Sequence, residues 1–278
     1  MKRLVLSVCI FAGLGLSLFA QNNTPASDFD LALDEYGITI TRYTGAADTV
    51  IIPAVIDGSP VTAIGERAFE DCRSIRAITI PGSVTTIGDL AFASCSGLTS
   101  ITIPNSVTTI GAWAFCGCSS LTSIAIPNSV TTIGEQAFVS CSSLTSIAIP
   151  NSLTTIGAAT FAYCSSLSSI SIPNSITTIG DNPFYSCSSL SSITVGAANT
   201  RYSSINGILF SKDGKTLLCY PAGKIYRSYS IPSSVTGIGD WAFTTCSSLR
   251  SITIPGSVSA IGAAAFYGCS NLSSVTIP

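Results

Sequence analysis

The sequence contains no histidine, and only 9% of its residues are charged. Without imidazole the side chain most often used as general base, proton shuttle and metal ligand is missing. No serine–lysine pair or paired-carboxylate constellation stands out to replace it, so an enzyme is not expected. Lysine and arginine are absent from the whole of residues 77–200, and the formal net charge is −2. A chain so balanced has no field to attract nucleic acid or an anionic membrane surface. Although 46% of the residues are hydrophobic, no unbroken apolar run past Ala20 approaches the ~18 residues needed to span a bilayer. The apolar residues are spaced for a core.

The first twenty residues, "MKRLVLSVCIFAGLGLSLFA", place Lys2 and Arg3 before an apolar stretch from Leu4 to Phe19. This is the pattern of a secretory signal peptide, with cleavage expected after Ala20. The apolar segment before Cys9 is too short for a lipoprotein signal. The protein is therefore expected to be exported, secreted or at the cell surface.

What dominates the remainder is self-similarity with a period of 23 residues, the mark of a stacked repeat architecture. Ile-Gly-x-x-x-Phe occurs eight times, beginning at Ile64, Ile87, Ile110, Ile133, Ile156, Ile179, Ile238 and Ile261, and a cysteine follows three residues after each phenylalanine, from Cys72 to Cys269. Within one repeat, "LTSIAIP" alternates so that Ile124 and Ile126 face one way and Ser123 and Ala125 the other, the period of a strand. Pro127 ends it. "VTTIG" is a second short extended piece closed by glycine. "EQAFVSC" is expected to be a single helical turn that drops Phe138 and Cys141 inward. One repeat cannot bury these faces alone, so successive copies must stack in parallel. The expected fold is a repeat solenoid, mostly β and loop with short helical turns, of about eight 23-residue repeats.

In such a stack the cysteines form an interior column, as small apolar fillers beside the phenylalanines. Eleven cysteines in an exported chain could also be a disulfide framework. Against that, stacked side chains stay near the ~4.8 Å strand spacing, whereas a relaxed disulfide needs Cβ atoms ~3.8 Å apart. A column of lone thiols offers zinc no four-ligand cage, and no cofactor is expected. Cys116 and Cys219 lie outside the column. The acids after the Ile-Gly pairs, Glu66, Asp89, Glu135, Asp181 and Asp240, are interrupted by Ala112 and Ala158, which leaves calcium too few carboxylates together. They are expected to cap the start of a helical turn.

Residues 21–52 do not fit the repeat, and "DLALDEYGITITRYTG" is expected to form a capping hairpin. The solenoid then covers 53–195, an insertion 196–231 interrupts it, and it continues over 232–278. The centre of the insertion, "GILFSKDGKTLLCYP", suggests a hairpin turning at Lys212 to Lys215. Basic and tyrosine residues are concentrated in the insertion: Arg201, Tyr202, Lys212, Lys215, Tyr220, Lys224, Tyr226, Arg227 and Tyr229. Tyrosine and arginine are enriched at binding hot spots, which makes this the first candidate partner surface; the plainer reading is a splint that keeps the coils in register. A second candidate is the neutral, hydroxyl-rich outer strand face, running from Ala77 and Thr79 to Ser274 and Thr276.

The repeat "LTSIAIPNSVTTIGEQAFVSC" with its siblings resembles the BspA-like, or Treponema-type, leucine-rich repeats, from about residue 38 onward, and "NTRYSSINGILFSKDGKTLLCYPAGK" resembles an interruption common in that family. The resemblance implies a curved right-handed coil on secreted or surface-exposed bacterial proteins. It also implies an adhesin that binds host matrix proteins, such as fibronectin and fibrinogen, or other bacterial surface proteins. A structural surface array or scaffold without a dedicated ligand is the alternative.

Overall fold

The computed structural model describes residues 23–277, so the signal peptide expected over residues 1–20 lies outside the described residues. Each coil contributes two very short strands to parallel ladders on two sides. Thr109–Ile110 lies between Thr86–Ile87 and Thr132–Ile133, and Ser123–Ile124 pairs with Ser146–Ile147, all strictly 23 residues apart. In parallel ladders without bulges, each residue stands over its equivalent in the next coil. About ten coils stack in this way. Two more than the repeat count arise because Ile40 pairs with Ile64 and Leu217 with Ile238, extending the isoleucine column through divergent sequence.

The segment after each Ile-Gly is not helical. The only helical element among the described residues is the three-residue 3-10 turn Ala26–Asp28. In its place each coil puts two residues in the left-handed region, for example Gln136 at φ 57° and Ser140 at φ 61°, or Leu90 at 56° and Ser94 at 58°. Such residues cost on the order of 1–3 kcal/mol each, so something must hold them. Here the reversal of backbone sense turns alternate amides along the coil axis: Gln136, Phe138 and Ser140 donate to the carbonyls of Ala158, Thr160 and Ala162 at 3.0, 3.0 and 2.8 Å. A helical turn would spend those amides within its own coil; this geometry uses them as a third ladder. The acids therefore cap no helix. Asp89 Oδ1 instead accepts from the Ala112 amide of the next coil at 2.7 Å, and Asp240 Oδ1 from the Ala263 amide at 2.6 Å.

Inside, phenylalanines stack at centroid separations of 5.1 Å (Phe69–Phe92), 5.2 Å (Phe92–Phe115) and 5.4 Å (Phe115–Phe138). The cysteines behind them are free, and those of the central coils are buried. They do more than fill space. The Sγ of Cys118, Cys141 and Cys164 donates to the carbonyl of the phenylalanine 26 residues earlier, each at 3.2 Å. The same carbonyls accept from the cysteine amide of their own coil, as Phe115 O does from Cys118 N at 3.2 Å.

The insertion runs through the molecule. Tyr202–Ile205, Ile208–Ser211 and Thr216–Cys219 form an antiparallel sheet whose last strand joins the solenoid ladder beside Gly237–Ile238. Successive residues of a strand face opposite sides, and here Leu209 enters the core of the first block while Ile208 and Phe210 enter that of the second. The middle strand is thus a partition between two cores. The start of the solenoid uses a related device: Gly37-Ile-Thr-Ile-Thr-Arg-Tyr43 and Gly214-Lys-Thr-Leu-Leu-Cys-Tyr220 share Gly-x-Thr-apolar-x-x-Tyr. Each forms the inner strand of a hairpin, and its tyrosine heads a phenylalanine column, Tyr43 stacking on Phe69 at 5.4 Å and Tyr220 on Phe243 at 5.2 Å.

Two predictions follow from this core. Glycine already stands at the Ser140 position in two coils, as Gly117 and Gly268. S140G removes left-handed strain at the cost of a more flexible unfolded chain, and is expected to raise stability by about 0.5–1 kcal/mol in urea denaturation. Burial pushes the Cys95 and Cys187 thiols up to about 12. Their contribution to stability is complete below the unfolded thiol range and is lost as pH rises toward the folded value, by about 1.4 kcal/mol per thiol per pH unit. Urea midpoints measured from pH 8 to 11 should fall, and fall less steeply in C95A.

Candidate binding surface on the inserted segment

The structure sorts the nine candidate residues into three places. Tyr220 is 2% exposed, and its ring takes the place of a phenylalanine in the column. Its carbonyl accepts from Cys246 Sγ at 3.5 Å, as a phenylalanine carbonyl would. Tyr229 is half-buried and packs 5.0 Å from Tyr220. Burial raises both phenols, that of Tyr229 to about 12. Tyr202 is half-buried, its hydroxyl accepting from the Ile179 amide at 3.0 Å. These three tyrosines serve the junction.

Arg201, Lys212 and Lys215 are exposed at the edge of the inserted sheet. Lys212 donates from its amide to Arg201 O at 2.9 Å and from Nζ to Ala197 O at 3.4 Å. Lys215 sits in the turn ordered by Asp213, whose Oδ1 accepts from the Lys215 amide at 3.0 Å.

Lys224, Tyr226 and Arg227 lie at the other ladder, ahead of the strand Ser228–Ser230. Lys224 Nζ donates to Asn206 O at 2.8 Å and stands 5.6 Å from the Tyr226 ring centroid, within cation–π range. Beside them Ile225 is 84% and Tyr226 61% exposed. Sequence reasoning missed Arg250, which lies outside the insertion. The amides of Arg250 and Ser251 both donate to Arg227 O, at 2.7 and 3.0 Å, so the two arginines are neighbours in one column. The signal was the 23-residue offset from Arg227 to Arg250. Arg76 stands in this column too, but from Thr99 to Ser191 and again at Ser273 it holds threonine or serine, whose hydroxyls bond back along the axis, as Thr99 Oγ1 donates to Arg76 O at 3.0 Å.

Anchoring the insertion was also unforeseen. Asn199 is 1% exposed, donates from Nδ2 to Pro173 O and Ile176 O at 2.9 Å each, and accepts at Oδ1 from the Arg201 and Tyr202 amides at 2.9 and 2.8 Å. The outer strand face is exposed where expected, at Ser123, Ala125, Ser146 and Ala148 among others. Burial raises the thiols of half-buried Cys116 and Cys219, the latter to about 12, which leaves neither activated as a nucleophile. Among the described residues no three His, Cys, Asp or Glu side chains gather as a metal site would require, and no helix is long and apolar enough to cross a membrane.

Parallel coils of fixed length, closed by short strands and stacked apolar columns, define a leucine-rich-repeat solenoid. The chain belongs to the BspA type leucine rich repeat family, whose repeat region matches in six copies over residues 51–142, 85–213 and 222–278. Among solved structures it is similar to a leucine rich cell surface protein of Faecalibacterium prausnitzii, at 31% identity and a TM-score of 0.72, with 91% of this chain and 76% of that one covered. The pneumococcal vaccine antigen PcpA aligns at 26% identity, a TM-score of 0.77, and 90% and 70% coverage. A leucine rich repeat protein of T. pallidum aligns at 27% identity, a TM-score of 0.51, and 90% and 91% coverage. No curated protein matches the chain.

If the tyrosines are structural and the outer lysines solvated, their substitutions should separate. Y220A is expected to cost about 3–5 kcal/mol of stability, as for other large aromatic truncations in cores, while K212A and K215A should stay within about 0.5 kcal/mol of the parent. Chemical denaturation of the three variants checks this.

Proposed function

We propose that the protein is an exported, non-enzymatic binding module that acts as an adhesin, attaching to acidic surfaces of host matrix or other bacterial surface proteins. The edge that does so comprises Lys224, Tyr226, Arg227 and Arg250. The observation that carries this reading is the pair of stacked arginines. Like charges directly opposite on neighbouring strands are destabilising, and the ion pairs found among the described residues involve only Arg67 and Arg73. Arg227 and Arg250 therefore stand side by side without an acidic partner, in a column where a hydroxyl would have bonded the preceding coil. A carboxylate-bearing partner would relieve that repulsion, and exposed Ile225 and Tyr226 add apolar area of the kind found at interface centres. Export is supported by the charged and apolar N-terminal stretch and by the cell-surface relative from F. prausnitzii.

The test is charge reversal at sites that bury nothing. R227E/R250E should melt at the parent temperature yet bind immobilised matrix proteins at least tenfold more weakly, and the salt dependence of binding should flatten. Unchanged affinity in the double variant would remove this edge from the binding surface.

A further inference from the structure

Coil-to-coil bonding on the turn side fails at one interior place. Ala159, Phe161 and Tyr163 donate from their amides to the carbonyls of Asp181, Pro183 and Tyr185 at 2.9, 2.9 and 2.6 Å. The equivalent amides one coil later belong to Asn182, Phe184 and Ser186, and no acceptor meets them among the described residues. The insertion is the cause. Its own coil reaches from Leu217, paired with Ile238, to Tyr220, whose amide bonds Ala242 O at 2.7 Å, through only Leu218 and Cys219. A regular coil uses Gly239, Asp240, Trp241 and Ala242 for the same step. The inserted coil cuts the corner and builds no turn.

A cavity of about 250 Å³ opens where that turn would lie, lined by residues 180–184 on one side, 239–241 on the other, and Leu218, Cys219 and Pro221 of the inserted coil. No lysine or arginine lines it. Asp240 is already engaged, its Oδ1 accepting from Ala263 N. Asp181 occupies the same repeat position, is exposed, and has no such amide to bond because the next turn is missing. Trp241 and Tyr202 supply aromatic walls. Beyond that lining, the ring centroids of Tyr185 and Tyr267, from coils on either side of the inserted one, are 6.4 Å apart.

We propose that this slot takes an extended peptide segment of a partner protein, laid in as the missing turn, with main-chain carbonyls accepting from the Asn182 and Phe184 amides and a lysine or arginine beside Asp181. The donors are two residues apart, the spacing at which successive carbonyls on one side of an extended chain recur. Strand-like addition to unpaired backbone groups is a general mode of peptide capture, with affinity from the main chain and specificity from side-chain pockets. Trp241 can stack on the cationic group or its aliphatic stem. This inference rests on the reading of the protein as a binding module, yet uses a surface distinct from the arginine edge.

The probe is a synthetic library of acetylated, amidated hexapeptides, each with one lysine or arginine, selected against the full chain and followed by fluorescence polarisation and amide hydrogen exchange. Selected peptides are expected to slow exchange across residues 180–186. D181K should weaken them at least tenfold, A222W should block them because Ala222 also lines the cavity, and R227E/R250E should bind them as the parent does. Asp181 is exposed, so D181K reports even if A222W fails to fold. The inference is overturned if no peptide is selected, if D181K binds unchanged, or if protection falls elsewhere. Neutral oligosaccharides bound by the parent and lost in D181K would likewise overturn it, assigning the slot to carbohydrate. Loss of matrix binding in R227E/R250E with no peptide selected would sink this inference alone.

Discussion

A carbonyl buried beneath a phenylalanine ring has to find its hydrogen bonds inside the coil, because water cannot reach it and an unmet acceptor there is costly. In this solenoid the cysteine three residues on supplies its amide, and the cysteine of the next coil supplies its thiol. That second bond links residues 26 apart, which is one period of 23 plus the three residues from phenylalanine to cysteine. The thiol thus ties coil height to coil length. A coil one residue longer would carry its sulfur past the carbonyl it serves, and the stacked rings would lose register at the same time. Serine would offer a stronger donor with a less apolar body, alanine the reverse; the thiol combines a small apolar volume with a weak donor.

The same constraint explains the form of the insertion. A loop could leave the stack anywhere, but it can rejoin only by presenting a ring and a carbonyl at the correct height for the next cysteine. Tyr220 presents both, stacking on Phe243 and accepting from Cys246 Sγ. Tyr43 heads the first column through its ring, which stacks on Phe69, while its amide donates to Ala68 O at 2.7 Å. The shared Gly-x-Thr-apolar-x-x-Tyr segment is a way to begin a stack, used once at the start and once in the middle.

The period, the strand faces and the isoleucine and phenylalanine columns were legible in the sequence because stacking forces each physical requirement to repeat, and eight copies make the requirement visible. The turn was not, since "EQAFVSC" is compatible with one helical turn locally; only the ladder to the next coil favours left-handed Gln136 and Ser140 instead. The thiols were recognised as interior but not as donors, because donation depends on a carbonyl 26 residues away. Tyr220 and Tyr229 were assigned to a surface on composition alone. Tyrosine is enriched both at interfaces and in cores where its ring substitutes for phenylalanine, and nothing local to "LLCYP" distinguishes the two. Arg250 was overlooked for the opposite reason: it lies in a regular coil, and its importance comes from the neighbour that stacking gives it.

Regularity also limits where chemistry can occur. In an undisturbed coil the turn amides, the strand groups and the thiols are all spent on the neighbouring coils, and the exposed side chains are mostly small hydroxyls that bond back along the axis. Such a surface offers a partner little that is unpaired. At the insertion the accounting changes: the turn ladder stops at Asn182 and Phe184, Asp181 lacks the amide that Asp89 and Asp240 bond, and two arginines stand in succession in a column that threonine and serine hold from Thr99 to Ser191. Recognition of a particular partner requires groups whose needs are unmet in the free protein, and the interruption concentrates such groups on two sides of the molecule. The long runs of identical coils then act as rigid supports that hold those groups in place.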